Sequence, residues 1–174
     1  NNDYINQQNI KEKILSKNKN IKLHLNLIEG NSLFENQKDI NLLTNKRNLF
    51  NNSFIRLCFK YYFGSNIKKS LIKKQTKKAI EKQIIKYLNI TKQNNYISID
   101  SHQHIHLIPF IFDLIVDLSK KYKIEYIRTT SEYISFNFNS KAFLNSINNL
   151  SKLIILNFFS NIAKQKIKNT TIKT

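Results

Sequence analysis

Residues Ile21 to Leu27 alternate strictly. Ile21, Leu23, Leu25 and Leu27 fall on one face and Lys22, His24 and Asn26 on the other, which is the period of a strand. Glu29, Gly30, Asn31 and Ser32 follow as turn residues and are read as its end. Upstream, residues 1–20 are polar, with Ile5, Ile10 and Ile14 loosely spaced like one helix face. Residues 33–65 keep no steady period. Their aromatics (Phe50, Phe54, Phe59, Tyr61, Tyr62, Phe63) indicate a packed loop or short helix. The period then lengthens. Ile67, Leu71, Ile72, Ala79, Ile80, Ile84 and Leu88 lie near one stripe and predict an amphipathic helix over Ile67 to Leu88. Its many lysines lie off that stripe and read as a solvated outer face.

Tyr96 to Asp100 reads as a second strand. Pro109 suits the first turn of a helix, where its missing N–H costs nothing. That helix is expected to run to about Tyr122, with Phe110, Ile111, Leu114, Ile115 and Leu118 inward. Ile124 to Arg128 predicts a third strand, and residues 141–168 a last helix carrying Phe143, Leu144, Ile147, Leu150, Ile154, Ile155 and Phe158. Strands alternating with helices predict an α/β fold with parallel strands, in a barrel or an open sheet. The 174 residues contain no repeat and no Gly- or Pro-rich linker, so residues 1–174 are read as a single domain.

Composition narrows the function. An apolar content of 41% excludes a disordered tail. No apolar run approaches the roughly 18 residues of a membrane span, and no secretory signal opens the chain, so a cytoplasmic protein is expected. The one cysteine, Cys58, excludes an internal disulfide framework and reads as a buried spectator. The net charge of +18 would suit a polyanion. However, only Arg47, Arg56 and Arg128 supply guanidinium forks, the groups that pair best with phosphates. Lys, Asn and Ile are inflated together, which points to A/T-rich coding; neither a nucleic acid nor a membrane is expected as a partner. The chain opens Asn1-Asn2 and contains no Met, so it is expected to be part of a longer product.

The candidate chemistry is concentrated in Asp100-Ser101-His102-Gln103-His104-Ile105-His106. If the chain stays extended there, His102, His104 and His106 share a face with Asp100. Neutral imidazole is the commonest transition-metal ligand, and a neighbouring carboxylate can fix its tautomer. The fourth histidine, His24, sits near the end of another strand, and active sites of α/β folds gather at strand ends. There is no P-loop, Gly-rich dinucleotide turn, nucleophile elbow or Cys–Cys metal spacing.

Several blocks together carry a resemblance. They are Leu23-His24-Leu25-Asn26-Leu27-Ile28-Glu29-Gly30, Glu81-Lys82-Gln83, the Asp100–His106 run with Pro109, and Ile127-Arg128 with Glu132. In order and approximate spacing they resemble the YdjC-like carbohydrate deacetylases. The resemblance implies an irregular TIM-barrel-like β/α fold, present here as a partial barrel. It also implies a metal-dependent hydrolase that removes acetyl groups from N-acetylated sugars. The divalent ion would be magnesium first, zinc second, with His24 and His102 as the matching ligands. Chemistry then suggests His104 or His106 as the acid or a sugar contact, Arg128 as a holder of negative charge, and Asp100 beside them. The family's opening Asn-Ala-Asp-Asp-Phe-Gly-like block, source of a metal-binding aspartate and the base, has no counterpart here. Asp3, followed by Tyr4, does not match it. The resemblance is therefore incomplete at both ends, and two histidines alone should bind metal weakly. Exposed barrel edges would favour a homodimer. Two other readings compete: another metal hydrolase such as a phosphoesterase, and a non-enzymatic basic polyanion-binding protein.

Overall fold

The computed structural model describes residues 21–92, 96–129 and 143–174, with side chains of the last stretch from 153 onward. Among the described residues are five strands: β1 (Leu23–Leu25), β2 (Glu29–Asn31), β3 (Leu49–Asn51), β4 (Ile97–Ser101) and β5 (Ile124–Ile127). The α-helices are α1 (Phe54–Tyr62), α2 (Asn66–Thr91), α3 (Pro109–Ser119) and α4 (Phe143–Ile167). Short 3-10 turns cover Gln37–Ile40 and His102–Leu107.

β1, β4 and β5 form a parallel sheet in the order β1-β4-β5. Long helical crossovers make parallel pairing possible: α2 links β1 to β4, and α3 links β4 to β5. Among the described residues this is an open three-stranded sheet, not a closed barrel. The C-terminal segment extends it, since Ile127 N–H donates to Lys173 O (2.9 Å) and Lys173 N–H donates to Glu125 O (2.7 Å).

Alternation explains the sheet faces. Leu23, Leu25, Ile97 and Ile99 are buried on one side, and His24 and Asp100 project from the other. All five inward residues expected on α3 are buried, and Phe112 joins them. On α2, Ser65 caps the first turn by accepting from Lys68 N, and Lys92 ends the helix in a left-handed conformation. Ile72, Ala79, Ile80 and Ile84 pack inward as expected, but Ile67 and Leu71 are exposed at 76% and 46%. They precede the stretch of α2 that reaches the core.

The turn expected at Glu29–Ser32 is instead strand β2, paired antiparallel with β3. Gly30 permits this at φ +82, and Asn26 starts it by accepting the N–H of Ile28 on its side chain (2.9 Å). Asn52, buried behind the hairpin, donates to Leu27 O (2.8 Å) and Leu43 O (2.7 Å) and accepts from Lys60 Nζ (2.8 Å). Burial lowers the Lys60 pKa, with Arg56 and Lys68 adding to the effect. The segment 1–20, Glu132 and the first residues of the expected last helix (141 and 142) lie outside the described residues.

Candidate functional site

His24 stands in the middle of β1 and is in register with Asp100 of β4. Paired residues of neighbouring strands point to the same side, so both occupy the open face of the sheet. His24 Nδ1 lies 3.9 Å from Asp100 Oδ2. The same Oδ2 accepts from Arg128 Nη1 at 3.0 Å, and Oδ1 accepts from Ser101 N at 2.7 Å. Burial opposes ionisation of Asp100. The Ser101 N–H and the Arg128 guanidinium outweigh it and hold the carboxyl below its ordinary range. Burial is also the largest influence on His24 and lowers its pKa; Asp100 opposes and His102 reinforces the shift. His24 is therefore neutral near pH 7, the form that can donate a lone pair.

The Asp100–His106 run does not stay extended. After Ser101 the chain coils, and Gln103 (φ 52) and His104 (φ 56) take left-handed backbones in succession. The three histidines therefore do not share one face. His102 turns toward His24, with ring centroids 6.0 Å apart and planes at 72°. His104 stands beside His106, with ring centroids 6.2 Å apart, and does not line the cavity described below. His106 is fully buried. Its Nε2–H donates to the carbonyl of Arg128 (2.6 Å), and its Nδ1 accepts from Ser101 Oγ (2.5 Å). A carbonyl can only accept, so this network fixes the tautomer. Burial pushes the His106 pKa down to about 4, against the raising effect of the Arg128 carbonyl and Asp100. The expectation of one shared histidine face is thus corrected: the structure brings His24 and His102 together, and holds His106 in the framework.

His24 and His102 line a cavity of about 700 Å³ together with Asn26, Glu29, Gln83 and Lys86. The remaining wall is largely apolar, including Leu33, Phe50 and Ile90. Asp100 and Arg128 do not line it; Asp100 reaches it only through His24. Glu29 is the one acid in the lining among the described residues, and its Oε1 lies 3.6 Å from His102 Nε2.

The donor chemistry fits two positions of a divalent ion. Two imidazoles face each other in one cavity, His24 neutral, with carboxylates beside each. Among the described residues, no three His, Cys, Asp or Glu side chains are grouped so as to hold a metal ion. Asp100 is committed to Arg128 and Ser101. Cys58, partly buried against the core, has its thiol pushed up to about 11 by burial, as suits a spectator. No helix among the described residues is long and apolar enough to cross a membrane.

Sequence reasoning assigned no role to Glu29, Asn26 or Gln83. The signal for Glu29 was its place five residues after His24 in the block that carries the resemblance, just before Gly30. Gln83 stood in a block that carries the resemblance, but nothing local gave it a role, because its partner is 57 residues away. Compared with known proteins, residues 5–174 match the family model described as YdjC-like protein. No curated protein and no solved structure matches.

Proposed function

Since the chain belongs to the YdjC-like family, we propose that it is a carbohydrate deacetylase, a hydrolase that releases acetate from N-acetylated sugars. The observation that carries this reading is the meeting of His24 and His102 at 6.0 Å across one cavity, from segments 78 residues apart (102 − 24). On this reading the open parallel sheet with its crossover helices is an arc of a TIM-barrel-like fold, and the site sits at the C-terminal ends of its strands.

His24 and His102 would hold a divalent ion, magnesium in the first instance, which polarises the acetyl carbonyl and acidifies a water. The protein's own groups do the rest. Glu29 takes the proton as the water oxygen bonds to the carbonyl carbon. It returns that proton to the nitrogen as the C–N bond breaks, so acetate and a free amine leave. Asp100 holds the orientation of His24 and is itself kept ionised by Arg128. The apolar wall excludes bulk water, and Lys86 and Asn31 offer hydrogen bonds to sugar hydroxyls.

The test is acetate release from N-acetylated chito-oligosaccharides with added magnesium or zinc, for the parent, His24→Ala and His102→Ala. Turnover by the parent and its loss in both variants, with the fold retained by circular dichroism, supports the reading. Variants as active as the parent, or a parent that releases only phosphate from phosphate esters, overturns it.

A further inference from the structure

The carboxamide of Gln83 is used on both sides, and on one residue. Its Oε1 accepts from Asn26 N (2.9 Å) and its Nε2 donates to Asn26 O (2.9 Å). A single hydrogen bond leaves a peptide free to pivot; two bonds to the N–H and C=O of one residue fix both its position and its tilt. Asn26 passes the constraint on. Its Nδ2 donates to Glu29 O (2.9 Å), and its Oδ1 accepts from Ile28 N (2.9 Å) and Glu29 N (3.4 Å).

We infer that Gln83 is a positioning residue of this site, setting through Asn26 where His24 and Glu29 stand relative to His102. His24 lies two residues before Asn26 and Glu29 three after it. β1 is tied to β4 along its other edge, where Leu25 registers with Ser101. The residues flanking β1 are tied to α2 instead, Asn26 through Gln83 and Ile21 through Tyr87, whose Oη donates to Ile21 O (2.7 Å). Gln83 thus bridges α2 to Asn26, just after β1, in the wall of the cavity. The bonds are half-buried, so water competes poorly for them. This role rests on the deacetylase reading only for its effect on turnover; the placement of the rings stands independently.

The same helix provides its own control. Two turns earlier, Gln75 also uses both ends of its carboxamide but on two residues, accepting from Leu42 N (3.0 Å) and donating to Asn41 Oδ1 (2.8 Å), away from the cavity. Gln83→Met and Gln75→Met each keep side-chain length and delete both bonds. Three readouts are compared: the imidazole NMR signals of His24 and His102 without metal, cobalt(II) affinity, and kcat and KM for acetate release. Gln83→Met is expected to shift both sets of ring signals, weaken cobalt binding roughly 10- to 100-fold, and lower kcat more than it raises KM. Gln75→Met is expected to change none of these. Unmoved rings in Gln83→Met, or equal effects from Gln75→Met, overturn the inference. A parent that binds no cobalt and releases no acetate overturns the proposed function instead, while the ring signals still decide the role of Gln83. Should Gln83→Met fail to fold, Gln83→Glu keeps the acceptor and loses the donor. It is expected to shift the same signals by less, and unshifted signals count against the inference.

Discussion

His106 donates its Nε2 proton to the carbonyl oxygen of Arg128 at 2.6 Å, joining the coil after β4 to the end of β5. The backbone that carries Arg128 is thereby held from beneath, and its guanidinium is left to pair with Asp100. A neutral, buried ring does this only while it stays neutral. Its pKa of about 4 lies below the ordinary 6.5. The unfolded chain therefore takes up a proton between those values and the folded one does not. Stability is full above pH 6.5 and falls as pH drops toward 4, by on the order of 3 kcal/mol if the shift is fully expressed. Asp100 and the Arg128 carbonyl face the ring and favour the proton; His104 and the Arg128 guanidinium disfavour it. His24, also lowered, contributes in the same direction. Urea unfolding from pH 7 to 4 should show this slope in the parent and a shallower one in His106→Leu. Equal slopes would refute it.

Asp100→Asn removes the charge that raises the His24 pKa. The His24 pKa is expected to fall further in that variant. An NMR titration of the His24 ring checks this, and an unchanged or higher value counts against the ion-pair geometry. Arg128 would also lose its partner at 3.0 Å, so anions such as acetate should bind more tightly at its guanidinium, beside the cavity.

Asn52→Leu should cost about 3 kcal/mol, because two buried carbonyls and the half-buried Lys60 ammonium lose a partner together. The urea midpoint measures it. A loss below about 1 kcal/mol would mean that water or a shifted Lys60 replaces the amide.

The two glycines should respond differently to alanine. At Gly30 a Cβ meets nothing within 4 Å, but φ is +82, so the cost is backbone strain of about 1–2 kcal/mol. At Gly64 a Cβ would stand 2.8 Å from the carbonyl oxygen of Lys60, and the last turn of α1 must move. Gly64→Ala should therefore also loosen the Lys60 contact with Asn52, while Gly30→Ala leaves it intact. Thermal melts of the two variants, each with and without Asn52→Leu, test this: only Gly64→Ala should be non-additive with Asn52→Leu.

Residues whose partners lie close in sequence were legible beforehand. The alternation around Leu23 and Leu25 located β1, and the 3.6-residue spacing from Phe110 to Leu118 located α3 and its inward face. The pair His24 and His102 was also named, through the family resemblance. The coil at Gln103 and His104 was not, since neither residue is glycine and nothing local demands two left-handed backbones; they occur where the chain turns His106 into the core. β2 and β3 are three residues each, too short for alternation to register, and Gly30-Asn31 imitates a turn. Ile67 and Leu71 fit the helical stripe but lie beyond the core that the stripe addresses. Gln83 was legible only as part of a block resembling the family; its role was not, because a glutamine on a helix gains its meaning from what the fold sets opposite.

The sheet order places His24 and His102 on unequal foundations. β4, which leads into His102, is flanked by strands on both sides, whereas among the described residues β1 has β4 as its one strand neighbour and only three residues of its own. Opening of β1 would remove His24, one of the two proposed metal donors, without disturbing the centre of the sheet. Local unfolding should thus abolish the site at a lower free energy than global unfolding, with amides of Leu23–Leu25 exchanging ahead of those of Ile97–Ser101. Activity would then be lost on warming before the molecule melts, and a bound ion, by holding β1 against the coil at His102, would close that gap.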